Sequence, residues 1–446
     1  MIKDGVLKEY YGSDEEIVIP KGVTSIGNRA FAVNKNLISV IFPEGVTRIG
    51  DSAFCLCESL RKVSISEGTT KIENEAFRGC VRLKEITLPE SLSFIGDYAF
   101  EDCLHLKNVT IPKGVKYIGK HAFFACSDLK KLDISENVKN IGAGAFGFCE
   151  SLVNNDGMVI VNHRLFDYFG SDKNIIIPEG VTHIEEYAFL HVKETVRSVS
   201  IPDGVTYIGE GAFFCCEKLV NLTLPKGVTN IGKEAFGECR SLVSISIPDS
   251  VSFIGSRAFQ YCSSLERMII PEGVTSIGES TFEDCNSLTS ITVPESVECI
   301  GKSAFKGCKK LNSIKTPITI DYEQAGGVRC ILIIKTRGKE SFYAFSSKTP
   351  SDNLSDFIRT GKWKEYDQEL INNGPKYKYK MSNRLVGALG RLLEPRKLTK
   401  RNRELYIGLV TKNIKKIMSI SESLECPEMI QALIDLGITS EKSLLA

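Results

Sequence analysis

The chain has 446 residues, 42% of them hydrophobic, and a formal net charge of +1, a length that allows about three domains. That balance excludes a globally basic nucleic-acid binder and a globally acidic chain, and no apolar run approaches the roughly 18–20 residues of a membrane span. The total hides a split: residues 1–315 carry 34 Lys/Arg against 40 Asp/Glu (net −6) and residues 353–446 carry 17 against 11 (net +6), so two kinds of domain are expected.

The opening "MIKDGVLKEYYGSDEE" holds no apolar core of signal-peptide length. The chain therefore reads as soluble and cytoplasmic; cell-surface or secreted placement is the alternative if a leader was removed or export is non-classical. From Leu7 to Phe31 the sequence is "LKEYYGSDEEIVIPKGVTSIGNRAF", and a near copy, "LFDYFGSDKNIIIPEGVTHIEEYAF", spans Leu165 to Phe189. Each copy opens a run of repeats. At the start of the array such a segment would cover the open edge of the first coil, since exposed solenoid edges need covers.

The repeat has a period of 23. The isoleucines of an "IG"-type motif fall at Ile26, Ile49, Ile72, Ile95, Ile118 and Ile141, and after a longer step at Ile184, Ile208, Ile231, Ile254, Ile277 and Ile300. Each is followed five residues later by Phe, from Phe31 to Phe305. In ten units Cys follows three residues after the Phe (Cys57, Cys80, Cys103, Cys126, Cys149, Cys216, Cys239, Cys262, Cys285, Cys308), and Leu three after the Cys. "L-x-x-I-x-I-P" predicts a short strand with one apolar face. Pro and Gly after it turn the chain. "V-x-x-I-G" predicts a second short strand. One such unit cannot bury its own apolar face; stacked units share a core.

At residues 153–172 the beat breaks. "GMVIV", a polar turn at Asn162–His163–Arg164, and "LFDYF" predict a hairpin. Two arrays follow from this reading, 1–152 and 153–316. After Pro317 the repeat stops, and strands are predicted over 318–323, 328–336 and 341–346, with "TRGKE" as a turn, forming a β cap over 317–347. "SSKTPSDN" reads as a linker. From 353 to 446 the pattern is helical: Leu385, Leu389 and Leu392 share one spacing, a helix begins at a capping Thr399 with Leu405, Leu409 and Ile417 near one face, and "PEMIQALIDLG" is a helix stopped at Gly437. A small bundle of four or five helices is expected there.

The unit resembles a leucine-rich repeat, and its wording, "IPEGVTSIG…AF…C..L", is similar to that of the BspA-like leucine-rich-repeat family over about residues 7–317. The resemblance implies a parallel β-solenoid. It also implies a role in binding: many members are bacterial or protist surface proteins implicated in adhesion to host or matrix proteins.

No motif that carries chemistry is found. The five histidines (His105, His121, His163, His183, His191) form neither HExxH nor a Cys/His zinc pattern, and there is no P-loop, GxGxxG or GxSxG. No catalytic residue, metal site or cofactor is expected. The cysteine column reads as small buried hydrophobes with weakly hydrogen-bonding thiols. An enzyme-like site at the array–helix junction, near Lys335 to Trp363, is the weaker alternative. The informative surface features are two rows. Beside the strand Leu lie bases: Arg61, Lys62, Lys84, Lys107, Lys130, Lys131 and Arg197. The acids after the turn proline (Glu44, Glu90, Glu179, Asp203, Glu272, Glu295) are their expected counter-charges. The outward strand residues are mostly Ser64, Thr87, Thr110, Asp133, Ser200, Thr223, Ser246 and Thr292. The expected function is a non-enzymatic scaffold that binds a protein partner, with a surface adhesin as the alternative. In the helical part bases and tyrosines mix, but helix spacing scatters them, so nucleic acid is not the expected partner.

Overall fold

A coil of this repeat has room for two short strands joined by tight corners. The computed structural model describes residues 1–311, 313–316, 331–336, 339–344, 385, 388–392, 398–423 and 428–439. They group into two compact units. One is Met1–Asp172 with Pro178–Val192 and Tyr207–Ala212; the other is Lys173–Ile177, Lys193–Thr206 and the chain from Phe213 on. Among the described residues the strand before the proline turn recurs thirteen times, from Glu16–Val18 to Ser313–Thr316, and the "IG" strand twelve times. The fold is a parallel β-solenoid with a few helices at the C-terminal end.

In the first unit the "IG" strands pair in parallel at 23-residue steps: Ser25 with Arg48, Arg48 with Lys71, Lys71 with Phe94, Phe94 with Tyr117 and Tyr117 with Asn140. The other ladder joins Glu16–Val18, Ser39–Ile41, Lys62–Ser64 and Glu85–Thr87, and separately Asn108–Thr110 with Lys131–Asp133. The middle residue of each strand points inward: Ile17, Val40, Val63 and Val109 are buried while their neighbours are mostly exposed. The second unit repeats this with Asn174–Ile176, Ser198–Ser200, Asn221–Thr223, Ser244–Ser246, Arg267–Ile269 and Ser290–Thr292. Its last repeat strand, Ser313–Thr316, pairs with Ile331–Thr336, which turns back on Lys339–Ala344. These are the cap strands predicted at 328–336 and 341–346; the one predicted at 318–323 lies outside the described residues.

The core is built from columns. In the first unit Phe31, Phe54, Phe77, Phe100, Phe123 and Phe146 stack face to face, with centroids 4.7–5.5 Å apart. Phe213 to Phe305 do the same in the second at 5.3–5.9 Å. Nine of the ten column thiols donate across to the preceding coil, as Cys80 Sγ does to the Phe54 carbonyl at 3.1 Å and Cys262 Sγ to the Phe236 carbonyl at 3.1 Å. The thiol is a second donor to a carbonyl that already accepts from its own coil, as the Phe54 carbonyl does from Cys57 N at 3.1 Å.

The corners hold a feature that the sequence hides. The residue three after the "IG" isoleucine has positive φ in coil after coil: Arg29, Ser52, Glu75, Tyr98, His121, Gly144. So does the residue seven after it: Val33, Leu56, Gly79, Asp102, Ala125, Phe148. Left-handed backbone favours glycine, yet most of these positions carry side chains. The cross-coil bonds made there, such as Val33 N to Cys55 O at 2.7 Å, hold them in place.

The repeated opening is a hairpin both times. Met158–Val161 and Arg164–Tyr168 pair antiparallel around Asn162 and His163, both at positive φ, the geometry of a tight primed turn. At the N-terminus Ile2–Lys3 and Val6–Leu7 do the same around Asp4 and Gly5. In each case the second strand then pairs in parallel with the first "IG" strand, Leu7 with Ile26 and Leu165 with Ile184. The duplicated segment therefore begins upstream of Leu7.

In the C-terminal region Leu385, Leu389 and Leu392 are helical and buried, at the predicted spacing. Thr399 caps Lys400–Thr411 by accepting from Asn402 N. The single helix predicted from Thr399 onward is two, Lys400–Thr411 and Ile414–Ser423. The break falls at Lys412 and Asn413, where the Asn413 side-chain amide donates to the Leu409 carbonyl at 2.8 Å. The buried residues of the first helix are Tyr406 and Val410, and Leu405 is exposed, so the apolar face lies one residue on from the predicted one. Gly437 follows Glu428–Asp435 at positive φ, a helix stop. The helices expected between 353 and 372 lie outside the described residues.

Candidate interaction surface

The basic row is real as a geometric object in the first unit. Arg61 N donates to Ile38 O at 2.8 Å, Lys84 N to Arg61 O at 2.9 Å and Lys130 N to Lys107 O at 2.8 Å. Register on this ladder stacks Arg61 on Lys84 and Lys107 on Lys130; between Lys84 and Lys107 the ladder is interrupted, and the "IG" strands Phe94–Ile95 and Tyr117–Ile118 carry the 23-residue step. All four are exposed, as are Lys62 and Lys131 on the adjoining strand position. Arg197 lies in the second unit, exposed, its N bonded to Lys173 O at 2.7 Å.

The expected neutralisation does not occur as predicted. Among the described residues none of the acids after the turn prolines pairs with the row. Lys84 and Glu90 sit at opposite ends of one strand, six residues and roughly 20 Å of extended chain apart. The counter-charges are on the strand and beside it: Lys62 meets Glu85 at 3.7 Å and Lys131 meets Asp133 at 3.2 Å. Asp128, held by the His105 ring at 2.9 Å, has a carboxyl below its usual range because of that contact and, further off, Lys107 and Lys130. Among the described residues Arg61, Lys84, Lys107, Lys130 and Arg197 form no ion pair.

The hydroxyl row is also outward. Thr87, Thr110, Asp133, Ser200, Thr223, Ser246 and Thr292 are exposed and Ser64 is half-buried. In the second unit this row borders a groove of about 470 Å³ lined by Asn174, Ile176, Ser198, Ser200, Asn221 and Thr223 among others. Sequence reading missed the amide–hydroxyl ladder on its other side, where Ser198 Oγ donates to Asn174 Oδ1 and Ser244 Oγ to Asn221 Oδ1, both at 2.8 Å.

Three histidines have acid partners that spacing could not show. His105 meets Asp128, His121 Nε2 donates to Glu186 Oε1 at 2.5 Å, and His191 lies 3.5 Å from Asp167. The His121–Glu186 contact joins residues 65 apart in sequence. It passes over Gly144, where an added Cβ would stand 2.2 Å from the His121 ring. Burial, the largest single influence, raises the Glu186 carboxyl, but His121 and Lys120 together outweigh it and the net shift is downward. Glu185 is fully buried; Arg164 holds one oxygen at 2.6 Å and the other has no hydrogen-bond partner. Its carboxyl is pushed up by burial. Burial also drives the column thiols Cys57, Cys149, Cys216, Cys262 and Cys308 up to about 12, which removes them from nucleophilic chemistry at neutral pH. The described residues contain no group of three or more His, Cys, Asp or Glu arranged to hold a metal. No described helix is long and apolar enough to cross a membrane. The stretch from Lys335 to Trp363, read as an alternative enzyme-like site, lies largely outside the described residues.

Stacked parallel coils, a buried Cys–carbonyl ladder and an exposed strand face define a leucine-rich-repeat scaffold. The chain belongs to the BspA-type leucine-rich-repeat family: the family model, described as BspA type Leucine rich repeat region (6 copies), matches residues 8–72, 48–157, 159–285 and 208–326. No curated protein matches the chain. Among solved structures, a leucine-rich repeat protein from Eubacterium ventriosum is 24% identical with a TM-score of 0.52, covering 77% of this chain and 96% of its own; it shows the same fold. One from Bacteroides ovatus is 29% identical (TM-score 0.42, covering 68% of this chain and 86% of its own). A leucine-rich cell surface protein from Faecalibacterium prausnitzii is 28% identical (TM-score 0.40, 69% and 89%).

Proposed function

We propose that the chain is a non-enzymatic scaffold that binds a protein partner through its exposed strand face. The observation that carries this reading is the stacked, exposed row Arg61, Lys84, Lys107 and Lys130, which meets no side-chain counter-ion within ion-pair distance. Like charges about 5 Å apart repel one another, and an acidic partner would relieve that. The neighbouring hydroxyl row supplies hydrogen-bonding groups without bulk. Binding here means complementarity of charge and shape; the buried column thiols and the histidines held by acids give no activated nucleophile.

The test is affinity capture with the full chain and with the triple reversal Lys84→Glu/Lys107→Glu/Lys130→Glu, matched by circular dichroism. A protein held by the first and lost by the second supports the reading. A partner held equally by both overturns the assignment of this face. The cytoplasmic placement carried over from the sequence separates from surface adhesion by protease shaving of intact cells: protection of the chain until lysis supports the former, cleavage the latter.

A further inference from the structure

The spacing of the basic row narrows the kind of partner. Four bases, Arg61, Lys84, Lys107 and Lys130, project from consecutive coils, and the phenylalanines beneath them step by 5.0–5.3 Å from Phe54 to Phe123. The row therefore runs across the strands for about 14–16 Å, at roughly 4.8–5.3 Å per base. Lys62, Arg82 and Lys131 are exposed around it. Glu85 is engaged by Lys62 and Asp133 by Lys131. Asp128, two residues before Lys130, is held by His105.

An acidic chain laid along this row must present a carboxylate about every 5 Å on one side. An extended strand repeats one face about every 6.6–6.8 Å, so by the fourth base it has drifted by roughly 5 Å, a whole coil. An α-helix rises about 5.4 Å per turn. Acids at i, i+3, i+7 and i+10 lie on one face and span about 15 Å, the length of the row. We infer that the basic row of the first unit is a docking site for an α-helix of a partner protein that carries a stripe of carboxylates at this spacing, one per coil. This rests on the scaffold reading and adds the form of the partner.

The probes are fluorescent peptides added to the full chain. One carries Glu at i, i+3, i+7 and i+10 in an Ala/Gln helix. A second has the same composition and helicity with the four Glu distributed around the helix. A third places Glu at alternate positions and is kept extended by proline. Heparin and single-stranded DNA serve as competing polyanions. The expected result is binding of the patterned helix at least tenfold tighter than of either control at physiological salt. It should be lost at least tenfold in Lys84→Gln/Lys107→Gln and kept in Lys84→Arg/Lys107→Arg, with both variants melting as the parent does. Equal binding of all three peptides would show a diffuse electrostatic surface and overturn the inference. So would heparin or DNA binding more tightly than the patterned helix. If a captured protein partner is insensitive to the Gln variant, the helix inference fails and the scaffold reading stands on another face. If no protein is captured at all, the scaffold reading fails, and the helix inference that rests on it fails with it.

Discussion

Removal of one ring from the middle of the phenylalanine column should open the solenoid locally. Phe123 is fully buried, with Phe100 stacked at 5.0 Å on one side and Phe146 at 5.5 Å on the other. Phe→Ala at a buried site costs about 3–5 kcal/mol. The two stacked contacts, at about 0.5–1.5 kcal/mol each, are part of that figure. Among the described residues Phe305 has one stacked neighbour in its column, Phe282 at 5.9 Å, so Phe305→Ala should cost less than Phe123→Ala, and Phe123→Leu least of the three. Because each coil touches only its neighbours, the loss should stay local. Hydrogen exchange followed by mass spectrometry reads this by segment. Amides near Ile95, Ile118 and Ile141 should exchange about a thousandfold faster at 4 kcal/mol, while those near Ile26 keep their protection. A cost below about 1.5 kcal/mol, or acceleration spread evenly over the chain, would refute the column as the unit of stability.

Thiol reactivity is the second check: exposed Cys299 should be alkylated quickly, half-buried Cys55 and Cys215 more slowly, and the buried column only on unfolding; column labelling at the Cys299 rate would contradict the burial. Gly144→Ala combines left-handed backbone at φ +61 with a Cβ set against His121 and Glu186, so it should destabilise by at least about 1–2 kcal/mol from backbone alone. In a His121→Ala background the cost should fall, and an unchanged cost would mean that the strap over Gly144 contributes nothing. His191 has its pKa raised, first by its contact with Asp167 against the opposing effect of burial, with Glu150 adding to the rise. A raised histidine contributes stability that is full below its unfolded pKa and is lost as pH rises through the folded value. Melting temperature should therefore fall from about pH 6 to pH 8 more steeply in the parent than in His191→Gln, and parallel curves would exclude the contact as a contributor.

What could be read from the sequence is what repeats. Ile26 to Ile300, Phe31 to Phe305 and the cysteines between them recur because every coil sees the same neighbours, and a period of 23 written twelve times fixes both ladders. The hairpin at 158–168 was legible from its alternation and polar turn. Its N-terminal twin was hidden because Ile2–Lys3 and Val6–Leu7 are only two residues each, although Asp4–Gly5 is a known turn pair. The left-handed corners were hidden for another reason. Val33, Leu56, Tyr98 and Phe148 stand where glycine is the usual signal, and only Gly79, Gly144, Gly211 and Gly307 keep it. Of the candidate surface, the row positions were legible because strand alternation dictates them. Its counter-charges were not, because ion pairs depend on where strand ends fall. His121–Glu186 and Arg164–Glu185 are invisible to spacing, since the insert sets their separation.

The most direct test of the account places a photo-crosslinking residue at Thr87 or Thr110, on the exposed strand face beside the basic row, and at Lys3 in the N-terminal hairpin as a control. Irradiation in extract should yield one discrete protein adduct from Thr87 and Thr110, absent from Lys3 and abolished by Lys84→Glu/Lys107→Glu. Adducts that form equally at Lys3, or that survive the charge reversal, would contradict the claim that this face binds the partner.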